Sequence, residues 1–195
     1  MIITVINFKG GQGKSSVALN LAYELEAGII TNDFYSAIKQ ALPKERVLPV
    51  DKSLPSKKAL KAMGDVIIDL GGFIDDVMIE ALEKSDIVLV VTTGDFASLQ
   101  VTLQTINNIQ NYAEKIIVIA NKMRTKDEFK AVKKVIKRKF DYKVMHIKQS
   151  KAMEYLFVEK RSISSMVADG GLNAKNYTTI HEQFKEVINI IKIWL

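Results

Sequence analysis

Short apolar runs alternate along the chain with longer stretches of helical periodicity. Ile2-Ile3-Thr4-Val5-Ile6, Ile87–Val91 and Ile116–Ala120 are nearly continuous and β-branched. That pattern predicts strands buried on both faces. Ile29-Ile30-Thr31, Asp65–Asp69 and Lys143–Ile147 read the same way, and Arg46–Val50 predicts a shorter strand. Between them, apolar positions recur at helical spacing. Val17, Ala18, Leu21, Ala22 and Leu25 predict a helix to about Ala27, with Gly28 as its C-terminal cap. Ile74, Val77, Met78, Ala81 and Leu82 predict another. Leu99, Leu103 and Ile106 mark one over Phe96–Tyr112, and Phe129, Val132, Ile136 and Phe140 one over Asp127–Phe140. Further helices are expected over Phe34–Leu42, Ser56–Met63 and Ser150–Val158, then a last one over about Thr178–Trp194. Strand–helix alternation of this kind predicts an α/β fold, a three-layer α/β/α sandwich around a mostly parallel sheet. Residues 43–64, with Pro43, Pro49 and Pro55, read as a connection inside one domain spanning residues 1–195.

The first strand runs directly into Asn7-Phe8-Lys9-Gly10-Gly11-Gln12-Gly13-Lys14-Ser15-Ser16, and a helix follows at once. Strand, glycine-rich turn and helix form the setting of a phosphate-binding loop. Gly10, Gly11 and Gly13 let backbone N–H groups approach an anion. Lys14 would reach the β- and γ-phosphates, and the Ser15 hydroxyl would hold Mg²⁺. The fold expected is therefore that of a P-loop NTPase. Val66-Ile67-Ile68-Asp69 is an apolar strand ending in a carboxylate, which predicts a second Mg²⁺-holding group in Asp69. Asn121-Lys122-Met123-Arg124 approaches the N-K-x-D motif that reads guanine, but Arg124 stands where the acceptor aspartate would be. Adenine, and so ATP, is the expected base. Asp33 follows the second strand, placed to cap the next helix, a role compatible with a further one for its carboxylate.

The loop lacks the first glycine of G-x-x-x-x-G-K-[ST], having Phe8 there, and carries an additional Lys9. It resembles the deviant Walker A ATPases of the ParA/MinD family, whose pattern K-G-G-x-x-K-[ST] is matched by Lys9, Gly10, Gly11, Lys14 and Ser15. The resemblance, strongest to the small ParA partition ATPases, extends along essentially the whole chain. It implies that Gln12, Ser16 and Asn121 also contact the nucleotide, that Asp33 serves hydrolysis, and that an ATP-driven sandwich homodimer forms. In that dimer Lys9 would reach the partner's phosphates. The family's Asp-x-Asp-Pro-Gln segment is only half kept, with Thr31 for its first aspartate and Phe34-Tyr35 for Pro-Gln.

The formal charge is +6, and its basic excess is local: fifteen basic against five acidic residues lie between Lys115 and Arg161. By the resemblance, this region would bind DNA without sequence preference through Lys130, Lys134, Lys137, Arg138, Lys151, Lys160 and Arg161. A ParB-like centromere-binding partner would stimulate hydrolysis, in a cytoplasmic, nucleoid-associated protein. A MinD-like membrane-associated positioning ATPase is the alternative; the last helix carries an apolar stripe suited to docking on the sheet, so membrane binding is not expected. A small-molecule ligase resembling dethiobiotin synthetase is a third reading. With no cysteine in the chain, iron–sulfur-carrying relatives are excluded.

Overall fold

The computed structural model describes residues 1–33, 35–72 and 75–195, with Asn173 described in its backbone only. Its sheet has seven strands, β1 (Ile2–Ile6), β2 (Gly28–Thr31), β3 (Val47–Pro49), β4 (Val66–Asp69), β5 (Ile87–Thr92), β6 (Ile116–Met123) and β7 (Lys143–Lys148). They lie in the order β3-β2-β4-β1-β5-β6-β7, and every neighbouring pair is parallel. The helices are α1 (Lys14–Glu24), α2 (Ile38–Ala41), α3 (Lys57–Ala62), α4 (Asp76–Lys84), α5 (Phe96–Ile109), α6 (Lys126–Lys137), α7 (Ala152–Glu159), α8 (Ile163–Ala168) and α9 (Gly171–Trp194).

Alternating side chains of each strand feed two cores, one on each face of the sheet. Ile3 and Val5 of β1 join α1, α2, α7, α8 and α9 on one face. Ile2 and Ile6 join α3, α4, α5 and α6 on the other. The three-layer sandwich expected from the alternation is thus present. β1 and β4 are neighbours, yet β1 exits to α1 on one face and β4 to α4 on the other. The divergence opens a crevice at their carboxyl ends, the usual ligand site of such sheets.

Several element boundaries differ from the pattern-based reading. α1 stops at Glu24; Glu26 takes the left-handed turn (φ 53°), and Gly28 opens β2 instead of capping the helix. The helix expected over Phe34–Leu42 shrinks to Ile38–Ala41, and Phe34 itself lies outside the described residues, as does Ile74. Local bonds hold a turn in its place: Tyr35 N–H donates to the Asp33 carboxylate and Ser36 N–H to the Asp33 carbonyl. α8 is an extra helix, capped by the Ser162 hydroxyl on Ser165 N–H. α9 begins at Gly171, seven residues before Thr178; in this added stretch Ala174 is buried and Tyr177 packs into the core on the α1 face.

Candidate functional site

Asn7, fully buried at the end of β1, starts the loop. Its amide donates to the Val91 carbonyl and the Thr102 hydroxyl, 2.8 Å each, and its Oδ1 accepts Lys9 N–H at 2.9 Å. This anchor was not evident from the sequence; an asparagine between a buried strand and a glycine turn was its only signal. Gly13 caps α1 with φ 85°, and a Cβ there would collide with the Asn121 amide. Glycine is required at this position by backbone conformation and by space.

Gln12 and Lys9 tie the loop to the start of α5. Gln12 is buried; its Oε1 accepts from Thr93 N–H (2.8 Å) and lies 3.0 Å from Thr93 Oγ1, and its amide donates to Ser98 Oγ (3.0 Å). Lys9 Nζ donates to Ser98 Oγ at 2.9 Å and to Asp95 Oδ1 at 3.2 Å. Asp95 also caps α5 through Ser98 N–H, as its position before Phe96 suggests, and accepts from the Thr93 and Ser98 hydroxyls. Those hydrogen bonds, the Ser98 hydroxyl's foremost, hold its carboxyl far below the usual range. Lys9 is thus bound within its own chain in this state.

Ser15 and Asp69 are brought together, and the Ser15 hydroxyl hydrogen-bonds the carboxylate. Asp69 is 4% exposed. Burial pushes its carboxyl up, against the pull of Ser15 and Lys14, while the nearby Asp33 carboxylate adds to the rise. Lys14 is shifted down by its own burial, with Asp69 opposing, and its ammonium donates to the Lys9 carbonyl at 3.4 Å. Two carboxylates, Asp69 and Asp33, against the single ammonium of Lys14 leave a deficit of positive charge that a cation would relieve. Among the described residues no group of three or more His, Cys, Asp or Glu is placed to hold a metal ion. The donor set suits Mg²⁺ completed by water and phosphate, not a cation caged by protein.

Asp33 is exposed at the crevice mouth. Its loop is pinned by Asn32, whose amide donates to the Gly71 carbonyl and whose Oδ1 accepts Gly71 N–H, both at 3.0 Å. This clasp joins the exits of β2 and β4, and only their adjacency in the sheet makes it legible.

β6 runs past its expected end at Ala120 to Met123, with an irregular register between Ala120 and Met123. Lys122 sits there at φ 58°, and its ammonium reaches the Gly11 carbonyl at 3.0 Å. The kink turns Asn121 beneath the loop, where its amide donates to the Gln12 carbonyl at 2.9 Å. Asn121 Oδ1 is buried without a hydrogen-bond partner among the described residues. Asn121 lines a pocket of about 420 Å³ with Gly13, Ser16, Met153 and Phe157. A buried acceptor without a donor fits the amino group of adenine; guanine presents an oxygen at the equivalent position.

The basic candidates do not converge on one surface. Lys130, Lys134, Lys137 and Arg138 lie on and just beyond α6, whereas Lys151, Lys160 and Arg161 flank α7 on the opposite face. Lys130 pairs with Asp127 (2.9 Å) and Lys137 with Asp141 (2.5 Å). Arg161 is held between Glu159 and Asp169.

No curated protein sequence matches the chain. Solved structures share its fold across nearly its whole length. One, described as a plasmid partition protein of Borrelia burgdorferi B31 bound to AMPPNP, is 18% identical with a TM-score of 0.65, covering 95% of this chain and 98% of that one. A ParA family ATPase from Chlorobium tepidum TLS is 18% identical with a TM-score of 0.63, covering 94% and 98%. The MinD septum site-determining protein of Pyrococcus horikoshii OT3, complexed with Mg-ADP, is 13% identical with a TM-score of 0.67, covering 97% and 98%. The nucleotide-binding domain family CobQ/CobB/MinD/ParA matches residues 3–162, from β1 through the loop, Asp69 and Asn121 to the end of α7, and the chain belongs to that family.

Proposed function

We propose that this chain is a ParA-like partition ATPase, a single domain that binds Mg·ATP and forms a sandwich dimer on binding it. The observation that carries the nucleotide reading is the convergence at one crevice of Gly13, Lys14, Ser15, Asp69 and the Oδ1 of Asn121, which has no partner among the described residues. Lys14 neutralises charge on the β- and γ-phosphates, and the backbone amides of Gly10 to Ser16 cradle them. Asn121, at the floor of the pocket beside Gly13, receives the adenine amino group. Ser15 and Asp69 would hold Mg²⁺, which when bound supplies charge stabilisation at the transferring phosphate. Asp33, at the crevice mouth, orients the attacking water and accepts its proton late. Lys9, once released from Asp95, serves the partner's phosphates as an arginine finger does.

The ATP dimer binds DNA without sequence preference through exposed basic residues, chiefly Lys134 and Arg138 of the α6 surface, with Lys130, Lys137, Lys151, Lys160 and Arg161 as further contacts. A ParB-like partner stimulates hydrolysis and releases it, so that DNA cargo is segregated or positioned. The test is DNA co-sedimentation with ATP, with ADP and without nucleotide. ATP-dependent pelleting lost in Lys14→Ala supports the reading. Equal DNA binding in all three conditions would sink it.

Fold-level likeness extends equally to MinD structures, so a membrane-bound positioning ATPase is the competing role. Among the described residues no helix is long and apolar enough to cross a membrane. On α9, Ile180, Phe184, Val187 and Ile191 are all buried against the sheet, leaving that face no lipid to meet. ATP-dependent sedimentation with liposomes, in place of DNA, would decide for the MinD-like role.

A further inference from the structure

The sheet ends at β7, which pairs with β6 on one side only. In a parallel strand the N–H and C=O of one residue point the same way, and those of the next residue point oppositely. Gln149 N–H donates to the Met123 carbonyl at 2.9 Å, so by alternation Lys143, Met145 and Ile147 address β6. Lys148 N–H instead donates to Gln183 Oε1 of α9 at 2.9 Å. Val144 and His146 share its direction and face outward. Among the described residues nothing bonds the N–H of either. The same Gln183 amide reaches His146 Nε2 at 2.7 Å, so this side chain covers the edge from Lys148 to the His146 ring, and the edge is open along Val144 and at the His146 N–H.

A groove of about 660 Å³ follows this edge. Phe129, Lys133 and Lys137 of α6 form one wall, and Glu186, Asn189 and Ile190 of α9 the other, with Lys143 at its mouth. Phe129 stacks on the His146 ring with 4.4 Å between centroids, which holds that wall against the strand. Among the described residues Lys133 and Lys143 make no ion pair, Lys137 pairs with Asp141, and Glu186 is the one acid lining the groove.

We propose that this groove receives an extended acidic segment of a partner polypeptide, which adds to β7 as a further strand. Its main chain would pair with Val144 and His146, while its carboxylates meet Lys133 and Lys143. The open floor offers both donors and acceptors at strand spacing, which a polypeptide answers in full. A nucleic-acid backbone brings phosphate acceptors for the lysines but no main-chain donors for the outward carbonyls. A second copy of this chain would bring its own lysines against these, the charge pattern by which sheet edges discourage self-pairing. The groove is built without any residue of the nucleotide site, so the inference stands apart from the function proposed above.

The test is fluorescence anisotropy without nucleotide, using a short labelled peptide that alternates Glu and Val. Its Lys–Val counterpart, and a Glu–Val peptide N-methylated at alternate residues, serve as comparisons. The acidic peptide should bind saturably, and both comparison peptides should lose that binding. The double variant Lys133→Glu, Lys143→Glu should lose it too, while Lys134→Glu on the outer side of α6 and Lys14→Ala in the phosphate loop should retain it. N-methylation acts on the probe alone, so it decides the matter even if the double variant folds poorly. No binding of the acidic peptide overturns the proposal, as does equal binding of the N-methylated form, which would mean charge attraction without strand pairing. A DNA duplex that depends on Lys133 and Lys143 where the peptide does not bind would likewise overturn it, in favour of nucleic acid.

Discussion

At the scale of single residues, Lys9 is tied up within its own chain and Asp69 is a buried carboxylate, and the proposed nucleotide would act on both. Lys9 is bound to Asp95 and Ser98, so a role across a dimer interface requires that contact to open. Asp95→Asn removes the charge while keeping a side chain that caps helices well. Its expected result is Mg·ATP-driven self-association at lower protein concentration than wild type, read by sedimentation velocity. Asp95→Ala also loses the α5 cap and should cost about 1 kcal/mol in denaturant unfolding. If Asp95→Asn associates no more readily, the cis contact is no restraint. Asp69 makes a prediction in pH. Burial raises its folded pKa above the ordinary 3.8. Above both values it is ionised in folded and unfolded chains alike, and the buried charge lowers stability. As pH falls through the raised value toward 3.8, the folded chain takes up the proton first and that loss is recovered. Asp69→Asn should therefore melt higher than wild type near neutral pH without metal, with the advantage shrinking on acidification. Mg·ATP should stabilise wild type and not this variant. An advantage independent of pH would assign the effect to packing.

At the scale of elements, the parts legible in the sequence are those where one signal decides. β1, β5 and β6 are continuous β-branched runs, and the glycine loop between β1 and α1 has fixed spacing. Less legible parts depend on partners distant in the chain. The Lys122 kink exists because Asn121 and Lys122 reach the carbonyls of Gln12 and Gly11, and no local pattern announces it. Likewise the Asn32 clasp on Gly71 needs β2 beside β4, and the early start of α9 goes with the burial of Ala174 and Tyr177. The strand–loop–helix unit carries its own test. Gly13→Ala forces a left-handed backbone at about 1–2 kcal/mol and drives a methyl into the Asn121 amide. It should lower the melting temperature and abolish ATP binding together, whereas Gly10→Ala, with no atom near its would-be Cβ, should spare the fold. For α6, replacing Lys134 and Arg138 by alanine should flatten the salt dependence of DNA binding by about two units of log–log slope. An unchanged slope would move the DNA surface elsewhere.

At the scale of the molecule, nucleotide binding and self-association can be separated by their dependence on concentration. A ligand that binds only the folded chain stabilises it by about 2.7 kcal/mol at a hundredfold excess over its Kd. For a chain of 195 residues each kcal/mol is worth about 2–4 °C in melting temperature, so saturating Mg·ATP should raise it by about 5–10 °C. That shift depends on nucleotide concentration alone if the complex is monomeric. If Mg·ATP assembles two copies, the melting temperature must also rise with protein concentration, because association is then linked to folding. Lys14→Ala should remove both effects, since the phosphates lose their main cation. Lys9→Ala should keep the nucleotide-dependent shift and lose the protein-dependent one, since Lys9 is bound to Asp95 and Ser98 in the isolated chain and is asked to act only across the interface. Differential scanning fluorimetry over a range of protein concentrations, with ATP, ADP and no nucleotide, reads all of these at once. A Lys9→Ala chain whose melting temperature still climbs with protein concentration in Mg·ATP would show that the dimer does not need this lysine, and the role assigned to it in trans would fall while the nucleotide site stood.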